Sequence, residues 1–259
     1  MAEIIVVPTP ADAGRLAGAA IADLIARRPD AVLGVATGST PLPVYDDLQH
    51  RLAGVDVSRV RAFALDEYVG IDRDHAESYH SIIHHQVTVP LGLDPDLVQV
   101  PDGQADDLER AALDYDAAIR ASGGIDLQLL GIGSDGHIGF NEPGSSFASR
   151  TRVKTLTPQT RQDNARFFPS VDDVPLHALT QGLGTILEAR HLVLLAFGEA
   201  KAEAVALALE GPLTARVPAT AIHLHPHCTV IVDEVAAAHL ADRAFYDYVY
   251  TNKPDWQGI

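Results

Sequence analysis

Short, wholly apolar runs alternate along this 259-residue chain with longer segments of helical periodicity. A strand that is apolar on both faces must be covered on both faces, and the intervening segments are long enough to be the covering helices. Residues 4–7, 32–36, 60–65, 97–100, 125–130, 191–197, 221–224 and 229–232 are the strand candidates. Residues 11–27, 42–52, 78–87, 106–121 and 200–209 read as helices, with further helices to Tyr250. The expectation is one doubly wound α/β domain over 1–259, a mostly parallel sheet with helices on both faces. Such a fold binds ligands beyond the carboxyl ends of its strands. There is no internal repeat and no long linker. Residues 168–175 are the least regular stretch and a candidate for mobility.

Charge and cysteine content narrow the function. Thirty-five acidic residues face 19 basic ones, for a net charge of −16, the opposite of what a nucleic-acid surface needs. No apolar run approaches the roughly 18 residues of a membrane span. The first ten residues lack a basic n-region, so no signal peptide is expected. A single cysteine, Cys228, excludes an internal disulfide and a cysteine-based zinc site, which fits a reducing cytoplasm.

Three polar clusters follow strand candidates. Gly34-Val-Ala-Thr-Gly-Ser-Thr-Pro41 places hydroxyls and N–H groups at a helix start, which suits a phosphate but also describes an ordinary capped loop. It is not a Walker loop, because no Gly-Lys-Ser/Thr follows. In Ala64-Leu-Asp-Glu-Tyr-Val-Gly70, Asp66 and Glu67 fall at a strand end. Taken alone they read as a turn cap and a structural ion pair, with general-base chemistry the second reading. In Gly131-Ile-Gly-Ser-Asp-Gly-His-Ile-Gly-Phe-Asn-Glu-Pro143, Asp135, His137 and Glu142 share a glycine-bent loop. A carboxylate that orients an imidazole is the arrangement a proton shuttle needs, so here function leads.

Basic residues are scarce enough to be informative. Arg150, Arg152, Lys154, Arg161 and Arg166 fall within 17 positions, and Lys201 sits at a strand-to-helix junction. In so acidic a chain, that clustering favours an anion site. His223, His225 and His227 alternate along the 221–224 strand candidate and its continuation, and His84 and His85 are adjacent. Pro226 interrupts that pattern, so no metal is assigned.

Together these segments resemble the glucosamine-6-phosphate deaminase (isomerase) family. The likeness covers about residues 1–250. It is carried by Leu65-Asp-Glu-Tyr-Val-Gly70, Gly133-Ser-Asp-Gly-His-Ile-Gly-Phe-Asn-Glu-Pro143, and Ser149-Arg-Thr-Arg-Val-Lys-Thr-Leu156 followed by Asn164-Ala-Arg-Phe-Phe168. The resemblance implies conversion of glucosamine 6-phosphate and water to fructose 6-phosphate and ammonia, with no cofactor. It implies Asp66 as the base between C2 and C1, His137 as the ring-opening group, and Asp135 and Glu142 as the carboxylates that tune it. Thr37, Gly38, Ser39 and Thr40, with Arg166 and Lys201, match its phosphate-binding positions. Some members are hexamers activated by N-acetylglucosamine 6-phosphate. Ser145, Ser146, Arg152 and Lys154 match residue types of that allosteric site, while an exposed strand face is the plainer reading of Arg152 and Lys154. The expected partner is a small sugar phosphate, with no nucleic acid and no membrane.

Two other readings stay open. A 6-phosphogluconolactonase has a similar fold but typically follows Asp-Gly-His with a Ser-Leu-Phe-Pro type segment, where this chain has Ile138-Gly-Phe-Asn-Glu-Pro143. A non-catalytic sugar-phosphate sensor is expected to carry a DNA-binding segment, and the first strand candidate begins at about residue 4.

Overall fold

The computed structural model describes residues 2–254 and 256–259, so Met1 and Asp255 lie outside the described residues. The strands are β1 (Glu3–Val7), β2 (Val32–Val35), β3 (Arg61–Ala64), β4 (Asp66–Tyr68), β5 (Val98–Gln99), β6 (Leu127–Gly131), β7 (Arg152–Thr155), β8 (His177–Thr180), β9 (His191–Ala196) and β10 (Cys228–Asp233). The helices are α1 (Pro10–Arg27), α2 (Leu42–Arg51), α3 (Tyr79–Ile83), α4 (Val89–Leu91), α5 (Leu108–Ala121), α6 (Pro158–Asn164), α7 (Leu183–Ile186), α8 (Ala202–Glu210) and α9 (Arg243–Thr251).

Seven strands form one parallel sheet in the order β1-β10-β9-β6-β2-β3-β5. Period-two alternation assigns each side chain to a face. In β9, Leu192, Leu194 and Ala196 enter the core that α5, α7 and α8 cover. Val193 and Leu195 enter the opposite core, which α1, α2 and the 83–91 helical segment cover. Each fully buried Leu, Ile or Val contributes ~1.5–3 kcal/mol relative to exposure. Local chemistry starts the covering helices. Thr9 caps α1 by accepting from the Asp12 N–H at 3.2 Å, and Pro10 stands in its first turn.

The strand order fixes where a ligand can sit. From β2 the chain winds outward through β3 to β5. It then returns to β6, beside β2, and winds the other way through β9 to β10. The reversal between β2 and β6 opens a crevice at their carboxyl ends. The 37–40 and 132–142 loops leave from those two ends.

Several elements differ from the reading of the sequence. Residues 221–224 are not a strand: they belong to a tight helical turn, Pro218–Leu224. Proline starts that turn, and the Thr220 hydroxyl fastens it to the Val217 and Thr214 carbonyls at 2.8 and 3.0 Å. The three histidines therefore do not share a strand face. His223 bonds the Ala208 carbonyl, His225 the Ala189 carbonyl, and the His227 ring stacks 3.7 Å from that of His191. The helix expected over 78–87 is α3 followed by a wide π-type turn, His84–Thr88. The 97–100 run supplies only the two paired residues of β5.

A second sheet went unread in the sequence. Strands β4, β8 and β7 pair antiparallel, with Asp66 opposite Thr180 and Thr180 opposite Arg152. The chain leaves the parallel sheet at Leu65, whose N–H bonds Val35 and whose carbonyl accepts from Gln181. Residues 168–175 are irregular, as expected, and hold one short turn. The Arg161 guanidinium ties them down through the Val171 and Val174 carbonyls at 2.7 and 2.9 Å.

Candidate active site

Asp66 is the first residue after the chain turns out of the parallel sheet. Tyr68, Tyr79 and Phe140 pack as an aromatic wall behind it, with Tyr79 and Phe140 stacked at 6.0 Å. Asp66 is buried, 6% exposed. Burial, and next the Glu67 charge, push its pKa up to about 7, while the Thr180 hydroxyl at 3.3 Å and the nearby His137 oppose the rise. A base with a pKa near neutrality suits proton transfer at neutral pH.

Glu67 points the other way. Its carboxylate accepts from the N–H groups of Tyr68, Tyr79 and His80 at 2.8–2.9 Å. It therefore caps the first turn of α3, and burial raises its pKa against those three bonds. Glu67 is structural, but through these backbone N–H groups and not through the ion pair that the bare sequence favoured. Asp66 is not the turn cap that the bare sequence favoured.

The loop after β6 gathers Asp135, His137 and Glu142. The His137 Nδ1 lies 2.6 Å from Asp135 Oδ1 and 3.9 Å from Glu142 Oε2. Partial burial works against ionisation of Asp135, but the His137 ring and N–H hold its carboxyl at about 2. An ionised carboxylate only accepts, so Nδ1 carries the proton and Nε2 is free to exchange one. Glu142 is buried and fixed by the Thr157 N–H at 2.9 Å. Ligand atoms of these three residues lie within 4.8 Å of one another. At 2.6 Å the His–Asp contact is a hydrogen bond, so the cluster reads as a proton relay.

Two glycines make this geometry. A β-carbon at Gly133 would collide with the His137 ring, which lies against that backbone. Gly139 has a φ of +54°, and a β-carbon there would come within 3.2 Å of Thr180 Oγ1 and 3.4 Å of Asp66 Oδ2. The bare backbone at Gly139 thus brings the His137 loop against Asp66.

The 37–40 loop lies across the crevice. A β-carbon on Gly131 would rest against Thr40 at 3.9 Å, so the β2 loop touches the end of β6. Thr37 stands beside the Tyr79 hydroxyl, and Gly38 takes a φ of +88°. Ser39 is exposed. Lys201 is partly buried just before α8, and burial lowers its pKa. It is close enough to Asp163, Arg166 and Asp135 to feel their charges. Arg166 is exposed, with its guanidinium over the Phe167 ring.

The wider basic cluster does not converge. Arg150 is neutralised by Asp116 at 3.1 Å and Glu188 at 2.6 Å, and Arg161 serves backbone carbonyls. Arg152 is half-buried and donates to Asn141 Oδ1 at 2.8 Å. Ser145 is buried and donates to the Glu142 carbonyl, Ser146 is exposed, and Lys154 lies on β7 two residues beyond Arg152. The sequence reading missed Thr180 and Thr157, which touch Asp66 and Glu142. No local signal marks either one, because only the sheet register and the α6 entry bring them in.

Comparisons with known proteins place the whole chain in a family. The family described as glucosamine-6-phosphate isomerases/6-phosphogluconolactonase matches residues 10–231. The chain is 57% identical over 260 residues to the glucosamine-6-phosphate deaminase of Streptomyces avermitilis, covering 99% of this chain and 100% of that one. It is 56% identical over 270 residues to that of Bifidobacterium longum subsp. infantis, covering 100% of both. A solved monomeric glucosamine-6-phosphate deaminase superposes with a TM-score of 0.89 at 44% identity, over 92% of this chain and 99% of that chain. The 6-phosphogluconolactonase of Trypanosoma cruzi superposes with a TM-score of 0.73 at 23% identity, over 93% and 97%, a likeness of fold alone. With two thirds or more of each deaminase covered at well above 30% identity, the chain belongs to the glucosamine-6-phosphate isomerase/6-phosphogluconolactonase family.

Proposed function

We infer that this protein is a glucosamine-6-phosphate deaminase, forming fructose 6-phosphate and ammonia from glucosamine 6-phosphate and water. The reading rests on full-length identity of 55–57% to deaminases. Within the site, the observation that carries it is Asp66, a buried carboxylate poised near neutrality beside the His137 loop. Removing a carbon-bound proton requires such a base, and lactone hydrolysis has no step that does.

The residues divide the chemistry as follows. The phosphate is held by the 37–40 loop with Lys201 and Arg166, away from the reacting carbons. His137 takes the proton of the anomeric hydroxyl through Nε2 and returns it to the ring oxygen, which opens the pyranose. Asp135 and Glu142 stabilise the imidazolium between those two events. Ionised Asp66 then takes the C2 proton. The C2–H electron pair forms the C1–C2 double bond, and the carbonyl oxygen takes a proton from the substrate ammonium to give the neutral enolamine. Asp66 returns its proton to C1, C2 becomes an iminium, and water adds there and expels the nitrogen, which leaves as ammonia carrying the proton that the added water gives up. One carboxylate reaches both carbons because they are adjacent.

The catalytic unit is the single domain 1–259. The same reading places a second sugar-phosphate position at Ser145, Ser146, Arg152 and Lys154, in a homo-oligomer. A rate curve unchanged by N-acetylglucosamine 6-phosphate overturns that extension. The main test is release of ammonia from glucosamine 6-phosphate with coupled detection of fructose 6-phosphate. Equal yields of both products are expected. No release, together with hydrolysis of a 6-phosphogluconolactone, transfers the assignment to the lactonase branch of the family.

A further inference from the structure

We propose that Thr180 is a positioning residue for the proton transfer: its hydroxyl donates to the ionised Asp66 carboxylate and turns to the Gln181 carbonyl when Asp66 is protonated. The inference rests on Asp66 being the base. Thr180 is wholly buried and faces Asp66 across the β4–β8 pairing. Its Oγ1 accepts from the Phe140 N–H at 3.1 Å. It lies 3.3 Å from Asp66 Oδ2 and 3.4 Å from the Gln181 carbonyl oxygen. A hydroxyl has one hydrogen to give. The Phe140 N–H therefore fixes the oxygen, while the hydrogen has two acceptors at nearly equal distance.

That arrangement answers a need of the reaction. Between C2 and C1 the base must exist first as an anion and then as an acid. In water, solvent reorients as the charge comes and goes. Behind the aromatic wall, a fixed oxygen with a turning hydrogen supplies that response. Among the described residues, Thr180 is the one side-chain donor within hydrogen-bond distance of the Asp66 carboxylate. The backbone around it is held as well. Asn141 is wholly buried, and its Nδ2 donates to the Gln181 carbonyl at 2.8 Å and to the Ile138 carbonyl at 2.9 Å. Gly139 leaves no side chain between Thr180 and the His137 loop. No covalent bond beyond those of the reaction forms or breaks, because only the hydroxyl hydrogen turns.

The test is the pH profile of kcat/KM for the wild type, Thr180→Val and Thr180→Ser, with Asp66→Asn as the control. Thr180→Val should move the midpoint of the acidic limb up by about one pH unit, the scale of one hydrogen bond to a charge. The plateau kcat should fall about tenfold or more, with KM changed by less than about twofold. Thr180→Ser should restore the midpoint. A Val variant that is slow but keeps the wild-type midpoint overturns the proposal, because the hydroxyl is then only a packing group. If Thr180→Val does not fold, Thr180→Cys keeps a weak donor, and a smaller shift in the same direction is expected. An unmoved midpoint in Thr180→Cys overturns the proposal equally. Near-normal turnover by Asp66→Asn would instead overturn the base assignment, which separates the two failures.

Discussion

Burial raises the Asp66 carboxyl to about 7 from an ordinary 3.8, which couples the base to the stability of the fold. Between about pH 4 and 7 the folded chain holds a proton that the unfolded chain has lost. The contribution of Asp66 to stability therefore falls as pH rises through that window. Asp66→Asn removes the buried charge. It should match the wild type near pH 4 and exceed it at pH 8 by up to about 4 kcal/mol in urea unfolding. No gain at pH 8 would mean that the carboxylate is solvated. The same variant should lose turnover by about 10³-fold. His137→Gln should slow reaction on the cyclic sugar more than on an open-chain analogue, and equal losses would remove the ring-opening role. Under the proposed assignment, Lys201→Ala should raise KM about tenfold or more with a smaller effect on kcat, because the ammonium is then a holder of the phosphate, which does not react. At this scale the sequence displayed His137 and its carboxylates, whose loop is contiguous. It left Asp66 ambiguous, because burial is a property of the neighbours Tyr68, Tyr79 and Phe140, which lie up to 74 positions away.

Among the elements, the glycine-rich loop and α3 show how much local chemistry depends on close approach. Gly133→Ala should be folded and slow, because the new methyl group meets the His137 ring and displaces it from Asp135. A variant with normal kcat would mean that the ring can shift without loss. Glu67→Ala should destabilise the protein by about 1–3 kcal/mol, since one buried and two part-buried N–H groups lose their acceptor. Thermal unfolding reads that cost, and an unchanged midpoint would show that water replaces the carboxylate. Helices with capped starts and apolar strands were legible from pattern alone, as with α1 and β9. Strand β8 was not, because it is the middle strand of a small sheet that no local pattern announces. Residues 221–224 misled for the same reason. Their apolar run fits a strand, but Pro218 and Thr220 close a turn first.

For the whole molecule, two buried groups pull stability in opposite directions with pH. His191 is buried against the His227 ring, and burial, with His227 and His225 beside it, lowers its pKa to about 3. The unfolded chain therefore binds a proton there first, and this contribution is lost as pH falls below about 6.5. Asp66 contributes the opposite slope over pH 4 to 6.5. Each slope is about 1.4 kcal/mol per pH unit, so the two offset each other in the wild type. His191→Gln should be relatively more stable than the wild type at pH 5 than at pH 7.5, while Asp66→Asn should show the reverse difference. Parallel curves for all three proteins would refute the pairing of these groups. By itself the sequence determined the alternation of strand and helix, the three polar loops and the family likeness, because those depend on neighbours along the chain. Only the tertiary structure decided the crevice between β2 and β6, the small antiparallel sheet, and the contact of Thr180 with Asp66. Strand order, register and desolvation come from residues distant in the chain packing together, and they set which carboxylate is buried and pushed toward neutrality.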